Sequence, residues 1–164
     1  MDYCEYIEPY EFFNLKSDYL QLMGDYISNL KSSDYTHHEY EFTDDYLNEH
    51  FDRYRYCKIH YPSEDSIFYK IGIKIFKEIN NKIFKYNLAN VFEFQILRYH
   101  EGGNYNWHCD YGISPHNQLT RKLSMSIQLS ESSEYTGGDL DMIDYSNRTI
   151  KLKNYRGCGV VFDS

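Results

Sequence analysis

The residues best suited to chemistry in this 164-residue chain are the histidine and the aspartate of His108-Cys109-Asp110. In an extended segment, positions 108 and 110 project from one face, so an imidazole nitrogen and a carboxylate oxygen can bind one metal ion from adjacent corners. Neither ligand is a thiolate, which disfavours structural zinc and favours a redox-active metal such as Fe(II), held by two histidines and one carboxylate. Taken alone, the tripeptide is more often a strand-end pair that makes ordinary hydrogen bonds.

The sequence on both sides of this tripeptide has the alternating pattern of β-strands. Residues 91–99 alternate apolar and polar side chains, with Phe92, Phe94 and Ile96 on the apolar side. Residues 122–130 divide into an apolar face that packs and a polar face that can line a pocket, with Leu123, Met125, Ile127 and Leu129 on the first and Ser124, Ser126 and Gln128 on the second. Turn residues separate three further predicted strands, at 139–143, 149–152 and 157–162.

An amphipathic helix is predicted over residues 63–85, before these strands. Ser63 follows Pro62 and can cap the N-terminus of the helix. Its predicted core stripe is a set of isoleucines spaced four residues apart: Ile67, Ile71, Ile75, Ile79 and Ile83. One long helix followed by five strands indicates an antiparallel β core with helices on one side.

Length and charge limit the classes of protein to consider. A chain of 164 residues predicts a single domain over 1–164, with an acidic N-terminal part at 1–90 and a β core at 91–164. We expect residues 1–66 to form short helices and strands that wrap around the later core. The formal net charge of −8 disfavours nucleic acid as a partner. No membrane span or signal peptide is recognisable, which predicts a cytoplasmic protein, and the four cysteines lack Cys-x-x-Cys spacing, which predicts free thiols.

The run from Leu97 to Asp110 resembles the metal-binding region of the Fe(II)/2-oxoglutarate-dependent dioxygenases, and most of all those of prolyl 4-hydroxylase type. The runs 121–130, 135–140 and 157–164 resemble successive strands of that family in the same order. The resemblance implies a mainly β protein with flanking helices, built as a double-stranded β-helix of the jelly-roll or cupin kind. It implies Fe(II) bound by His108 and Asp110, with 2-oxoglutarate and O2 as co-substrates. Ascorbate is a further candidate cofactor. Tyr99 and Gln128 stand where the family places residues that bind 2-oxoglutarate.

The implied activity is hydroxylation of a C–H bond in a peptide or small molecule, coupled to conversion of 2-oxoglutarate to succinate. In the family, a third ligand histidine and then a basic residue follow the Gly-x-Val-Val-Phe strand, whereas this sequence ends at Asp163-Ser164. We therefore expect the last strand of the β-helix to be missing, and this chain to bind Fe(II) weakly and turn over little or not at all. His116, in a loop, is a disfavoured substitute ligand.

Other functions and other site residues are also open. A non-catalytic β-helix binding module is favoured by the missing third ligand. A nucleic-acid demethylase is disfavoured by the negative charge of the chain. A halogenase is disfavoured because Asp110 would occupy the coordination position that chloride needs. Trp107 is predicted to be core or pocket wall, with substrate stacking as the alternative. Cys109 is expected to point away from the metal. The histidines of the acidic N-terminal part, which lack ligand spacing, are expected to be solvent-exposed or capping: His37, His38, His50 and His60.

Overall fold

Two α-helices and three antiparallel sheets make up most of the regular structure of the described residues. A computed structural model describes residues 10–40, 55–89, 92–108, 110, 119–144 and 146–164. The helices within these ranges are α1 (Ser17–Ser28) and α2 (Ile67–Ile79). The strands are β1 (Tyr10–Asn14), β2 (Thr36–Tyr40), β3 (Arg55–His60), β4 (Ile96–Arg98), β5 (Asn104–Tyr105), β6 (Leu123–Ile127), β7 (Asp141–Ile143), β8 (Thr149–Lys151) and β9 (Cys158–Asp163). Neither helix is long and apolar enough to cross a membrane, as judged over the described residues.

The two larger sheets draw strands from both halves of the chain. One has the order β1-β9-β6, and the other has the order β2-β3-β4, with β5 also paired to β3. β7 and β8 form a separate hairpin. The short helix and strands expected within residues 1–66 are confirmed by α1, β1, β2 and β3. The expectation that they wrap around the later core is corrected, because β1 and β3 are strands of the two larger sheets. Pairing of β1 with β9 satisfies backbone groups that would otherwise lie on an open sheet edge.

β9 is the most enclosed strand of the described structure. Val160 and Val161 are both 0% exposed, although successive side chains of a strand point to opposite faces. On one face, Val160 packs with Leu152, which follows the β7–β8 hairpin. On the other face, Val161 packs with Leu123 of β6 and Phe76 of α2. The predicted apolar strand at 157–162 is thus confirmed, and it lies between the hairpin and the helix.

The predicted alternation of residues 122–130 is also confirmed. Leu123 is buried against α2, and Met125 and Ile127 pack with the same helical side of the core. Ser124 and Ser126 lie directly opposite residues of β9 that face the hairpin. The regular strand β6 is shorter than predicted, although the backbone N–H of Gln128 continues the pairing by donating to the carbonyl oxygen of Cys158 at 2.8 Å. β6 therefore presents its hydroxyl groups on the side opposite the helices.

The predicted helix over 63–85 is confirmed in position and corrected in detail. The α-helix begins after Ser66, whose Oγ accepts a hydrogen bond from the backbone N–H of Tyr69 at 3.1 Å, so Ser66 rather than Ser63 is the cap. A π-helical turn at Asn80–Phe84 follows α2. Ile67 and Ile83, at the two ends of the predicted core stripe, are 43% and 37% exposed. Four residues advance more than one helical turn of 3.6, so the stripe rotates away from the core at both ends.

The predicted strand at 91–99 is regular only over β4, and residues 92–95 cross α2 instead. The carbonyl oxygen of Phe92 accepts a hydrogen bond from the Tyr69 hydroxyl at 3.1 Å. The ring of Phe92 meets the ring of Phe76 edge-on, with centroids 5.7 Å apart. A methyl group on Gly72 would lie 2.6 Å from the ring of Phe94, so α2 needs a glycine at that position. The alternation predicted for this segment holds, but helix packing takes the place of strand pairing.

Candidate metal centre

The side chains of His108 and Asp110 converge, as their spacing predicts. The Nε2 atom of His108 lies 3.2 Å from Oδ1 of Asp110, and the two side chains are 25% and 23% exposed. Two ligand atoms that each bind one metal ion at about 2.1 Å, at right angles, are roughly 3.0 Å apart. The pair therefore fits two neighbouring positions of one ion. His108 itself lies three residues beyond the end of β5 and outside any regular strand, which corrects the expected strand position; Cys109 lies outside the described residues.

Two neighbours fix the orientation of the His108 ring. Its Nδ1 lies 2.7 Å from the carbonyl oxygen of Asn106 and donates to it in the neutral imidazole. The ring of Tyr105 stacks on the imidazole, with centroids 3.8 Å apart and planes inclined by 16°. With Nδ1–H held by the backbone, the Nε2 lone pair remains to bind a metal, which is the arrangement that metal-ligating histidines usually have.

The surroundings of Asp110 favour its charged form. The hydrogen bond with His108 lowers the pKa of the Asp110 carboxyl first, and the hydroxyl of Ser124 and the charge of Arg121 lower it further. The Nη1 atom of Arg121 lies 3.5 Å from Oδ1 of Asp110. The same hydrogen bond raises the pKa of His108. Each of the two side chains therefore favours the charged form of the other.

Tyr99, one of the two residues predicted to bind the co-substrate, interacts electrostatically with Tyr105, which stacks on His108, and its role stays a prediction. Its hydroxyl interacts with Cys57, Arg55 and Tyr105, and burial of the hydroxyl raises its pKa to about 12. The residue as a whole remains 44% exposed. Because Tyr105 also stacks on His108, Tyr99 belongs to the same cluster of side chains, and its hydroxyl stays a neutral hydrogen-bond donor at ordinary pH.

Gln128, the other predicted co-substrate residue, is directed elsewhere. Its Nε2 donates to the Tyr135 hydroxyl at 2.9 Å and to the carbonyl oxygen of Ser130 at 3.3 Å. Gln128 is four residues beyond Ser124, which is about 13 Å at 3.3 Å per residue. The structure thus keeps Gln128 on the predicted face of β6 but does not bring it to His108 and Asp110, and its role stays a prediction.

The described residues contain no group of three or more His, Cys, Asp and Glu side chains that could hold a metal ion. His116 and His50 lie outside the described residues. His60 is bound within the fold, with Nε2 3.0 Å from the Tyr26 hydroxyl and Nδ1 2.8 Å from the carbonyl oxygen of Asp34. His37 lies edge-on to the ring of Tyr56, with centroids 5.2 Å apart.

Three other features of this region differ from the sequence analysis or were not found by it. Trp107, expected to be core or pocket wall, is 59% exposed, so the core position is wrong and the pocket wall stays a prediction. Arg55 and Tyr105 also line the site. Tyr105 lies in the motif run, three residues before His108, and its position was a usable signal. Arg55 comes from β3 and no local pattern marks it.

Among the cysteines, Cys57 and Cys158 are buried free thiols, as predicted, while Cys4 and Cys109 lie outside the described residues.

Comparisons with known proteins agree with this geometry. Residues 94–164 match the sequence model of the 2OG-Fe(II) oxygenase superfamily. The fold is similar to that of a Pseudomonas putida prolyl-4-hydroxylase in its crystal structure, with a TM-score of 0.62 and 18% sequence identity, over 96% of this chain and 81% of that one. No curated protein sequence matches the chain.

The resemblance to the 2OG-Fe(II) oxygenase superfamily is confirmed over residues 94–164, and the fold is similar to that of a prolyl-4-hydroxylase. The C-terminal part carries the sequence likeness, and the described structure is mainly β with few helices, in a fold similar to that of the Pseudomonas enzyme, which agrees with the expected jelly roll. Whether the last strand of the β-helix is missing stays a prediction.

Proposed function

We propose that this chain is an Fe(II)- and 2-oxoglutarate-dependent hydroxylase of prolyl 4-hydroxylase type. The observation that carries the proposal is the 3.2 Å separation between Nε2 of His108 and Oδ1 of Asp110, in the part of the chain that matches the oxygenase superfamily. Imidazole and carboxylate ligands without a thiolate suit divalent iron that must keep open positions. The chain's fold and its ligand pair therefore support the same reaction type.

The described residues would hold the iron and its surroundings in place. Bound Fe(II) with 2-oxoglutarate supplies the oxidation: O2 gives one oxygen atom to a C–H bond of the substrate and one to the succinate that forms as CO2 leaves. His108 and Asp110 would bind the cation, and the hydrogen bond from Nδ1 to the Asn106 carbonyl leaves Nε2 free to face it. Ser124 and Arg121 hold the carboxylate of Asp110. Ascorbate is proposed as an accessory reductant.

The proposed substrate is a peptide or a small molecule, in a cytoplasmic setting. The exposed indole of Trp107, next in sequence to His108, offers a flat apolar surface at the mouth of the site. Stacking of a substrate ring on Trp107 is therefore part of the proposal. A prolyl ring in a peptide would suit such a surface.

A turnover experiment tests the proposal. The chain is incubated with Fe(II), ascorbate, 2-oxoglutarate and a library of proline-containing peptides; succinate is quantified, and the peptides are searched by mass spectrometry for the gain of one oxygen atom. Because little turnover is expected of this chain, we expect a small amount of succinate above the protein-free blank in the wild type and none above it in Asp110→Ala. The matched control is Asp163→Asn, which alters a carboxylate that accepts a hydrogen bond from Tyr86 at 3.2 Å. Succinate formation that survives in Asp110→Ala would refute the assignment of the site.

A second candidate function is a binding module of the same fold without catalysis. It is favoured by one observation: among the described residues, the ligand pair His108 and Asp110 has no third metal-binding side chain beside it. Iron content after gel filtration separates the two functions. Stoichiometric iron supports the hydroxylase, whereas iron-free protein that produces no succinate supports the binding module.

A further inference from the structure

A cavity of about 400 Å³ lies between the end of α1, β4 and the turn that follows β6. Its volume is in the range of small-molecule sites, roughly 300–1,000 Å³. Ile27, Leu30 and Leu129 give it an apolar wall, which packs against the buried core cluster that includes Ile96. Four charged side chains also line the cavity: Arg98, Arg156, Glu131 and Glu134. The cavity therefore combines an apolar wall with both signs of charge.

This cavity is separate from the candidate metal site. Ile96 of β4 packs in the core cluster that contains residues of α2, and side chains two residues apart on a strand share a face, so Arg98 also projects from the side of β4 that faces the helices. Tyr99, the next residue, interacts with Tyr105, which stacks on His108. The two sites are therefore on opposite faces of this segment.

Arg98 supplies a cation that has no acidic partner. Its guanidinium carbon lies 4.5 Å from the centre of the Tyr35 ring, which is itself buried. No carboxylate in the described ranges lies within 4.0 Å of Arg98, whereas Arg121, Arg148 and Arg156 each lie that close to one. A guanidinium held over a ring keeps its in-plane N–H groups for an acceptor such as a carboxylate.

Glu134 supplies the opposite charge. Its Oε2 accepts a hydrogen bond from the backbone N–H of Glu131 at 2.9 Å, and no lysine or arginine nitrogen of the described residues lies within 4.0 Å of its carboxylate. Glu131 instead lies 3.5 Å from Nη1 of Arg156. The four charges sum to zero, and the C-terminal end of α1, which lines the cavity, adds a partial negative charge. A ligand that carries both charges therefore complements the cavity better than a simple anion does.

We propose that this cavity binds a free α-amino acid with an apolar side chain. The α-carboxylate is bound by Arg98 and the α-ammonium group by Glu134, while the side chain lies against Ile27 and Leu129. The proposal concerns a second site, and it needs neither iron nor 2-oxoglutarate.

Three related molecules test the role of each charge. The probes are L-leucine, leucinamide, in which a neutral amide replaces the carboxylate, and 4-methylpentanoate, which lacks the ammonium group. Each is titrated by ligand-observed nuclear magnetic resonance into the chain in the presence of a metal chelator. The variants are Arg98→Met, Arg98→Lys and Glu134→Gln, the last of which keeps an oxygen that can accept the hydrogen bond from Glu131.

Arg148→Met is the matched control, because it removes an arginine whose side chain is 59% exposed and paired with Asp144. Thermal unfolding reports whether each variant is folded. The wild type should bind L-leucine about tenfold or more tightly than either analogue. Arg98→Met should abolish the preference over leucinamide, and Glu134→Gln should abolish the preference over 4-methylpentanoate. Arg98→Lys should weaken L-leucine several-fold, which covers the case in which methionine is not tolerated.

Four results would overturn the inference. They are a folded wild type that does not bind L-leucine, equal affinity for the three probes, an unchanged L-leucine dissociation constant in Arg98→Lys or in folded Arg98→Met, and an equal weakening in Arg148→Met, which would show an effect of net charge. Because the titrations contain no free metal, each of these results leaves the proposed hydroxylase standing.

Discussion

Replacing Ser124 with alanine should weaken metal binding without disturbing the ligands themselves. The hydroxyl of Ser124 donates to Asp110 and is one of the groups that lower the pKa of that carboxyl. It also lies 2.8 Å from the hydroxyl of Ser164. Ser124→Ala leaves both ligand atoms in place and removes only a group that positions one of them. The variant therefore isolates the contribution of the neighbouring strand to the site.

The size of the effect follows from the contacts. A hydrogen bond to a charged group contributes about 1.5–3 kcal/mol, and loss of such outer partners weakens metal binding by about 10- to 100-fold. Ser124 holds Asp110 both before and after a metal binds, and His108 and Arg121 continue to hold the carboxylate in the variant. Removing this hydrogen bond therefore weakens metal binding by only part of its free energy. We expect about a tenfold rise in the dissociation constant, or about 1.4 kcal/mol.

Mn(II) is a suitable probe for this measurement because it is stable in air. Its dissociation constant is obtained from the loss of the free-ion paramagnetic resonance signal on titration with protein. Ser126→Ala is the matched control, since Ser126 lies on the same face of β6, opposite Val160, two residues away. A Ser124→Ala constant within twofold of the wild type, or an equal weakening in Ser126→Ala, would refute the reasoning.

Three further predictions concern the fold. Gly72→Ala should lower the free energy of unfolding by about 1–3 kcal/mol in denaturant titrations, because the new methyl group meets an aromatic ring. In the control Gly24→Ala, in α1, the methyl group meets only the end of a flexible arginine, so this variant should be neutral or stabilising by up to about 1 kcal/mol. A greater loss of stability in Gly24→Ala than in Gly72→Ala would contradict the packing. Val161→Ala should cost about 2–3 kcal/mol because the side chain is fully buried, and a loss below about 0.5 kcal/mol would contradict that burial. Backbone and side-chain hydrogen bonds from Arg148 lower the pKa of Asp144, so its contribution to stability is complete above pH 3.8 and is lost as the pH falls through the lowered pKa. Unfolding measured against pH should show that acid loss in the wild type and a smaller one in Asp144→Asn.

Features with a short period in the sequence were predictable from the sequence alone. The two faces of β6 follow from strict alternation, because successive side chains of any strand point to opposite sides. The apolar run of β9 predicted a buried strand for the same local reason. The spacing of His108 and Asp110 likewise predicted a pair of ligand atoms able to converge, and the structure brings them together although His108 lies outside a regular strand.

Features that depend on distant parts of the chain required the tertiary structure. Residues 92–95 have the pattern of a strand, but they lie across α2, because burying two aromatic rings against the helix replaces ladder hydrogen bonds. The pattern of β1 gave no indication that it pairs with β9. Arg55 lies over Tyr105, which stacks on His108, because β3 and β5 are neighbours, and no local pattern encodes which strands pair. The sequence therefore determined the two candidate ligands and the faces of β6, while folding decided which charge and which rings surround the candidate ligands, since those contacts arise from long-range packing.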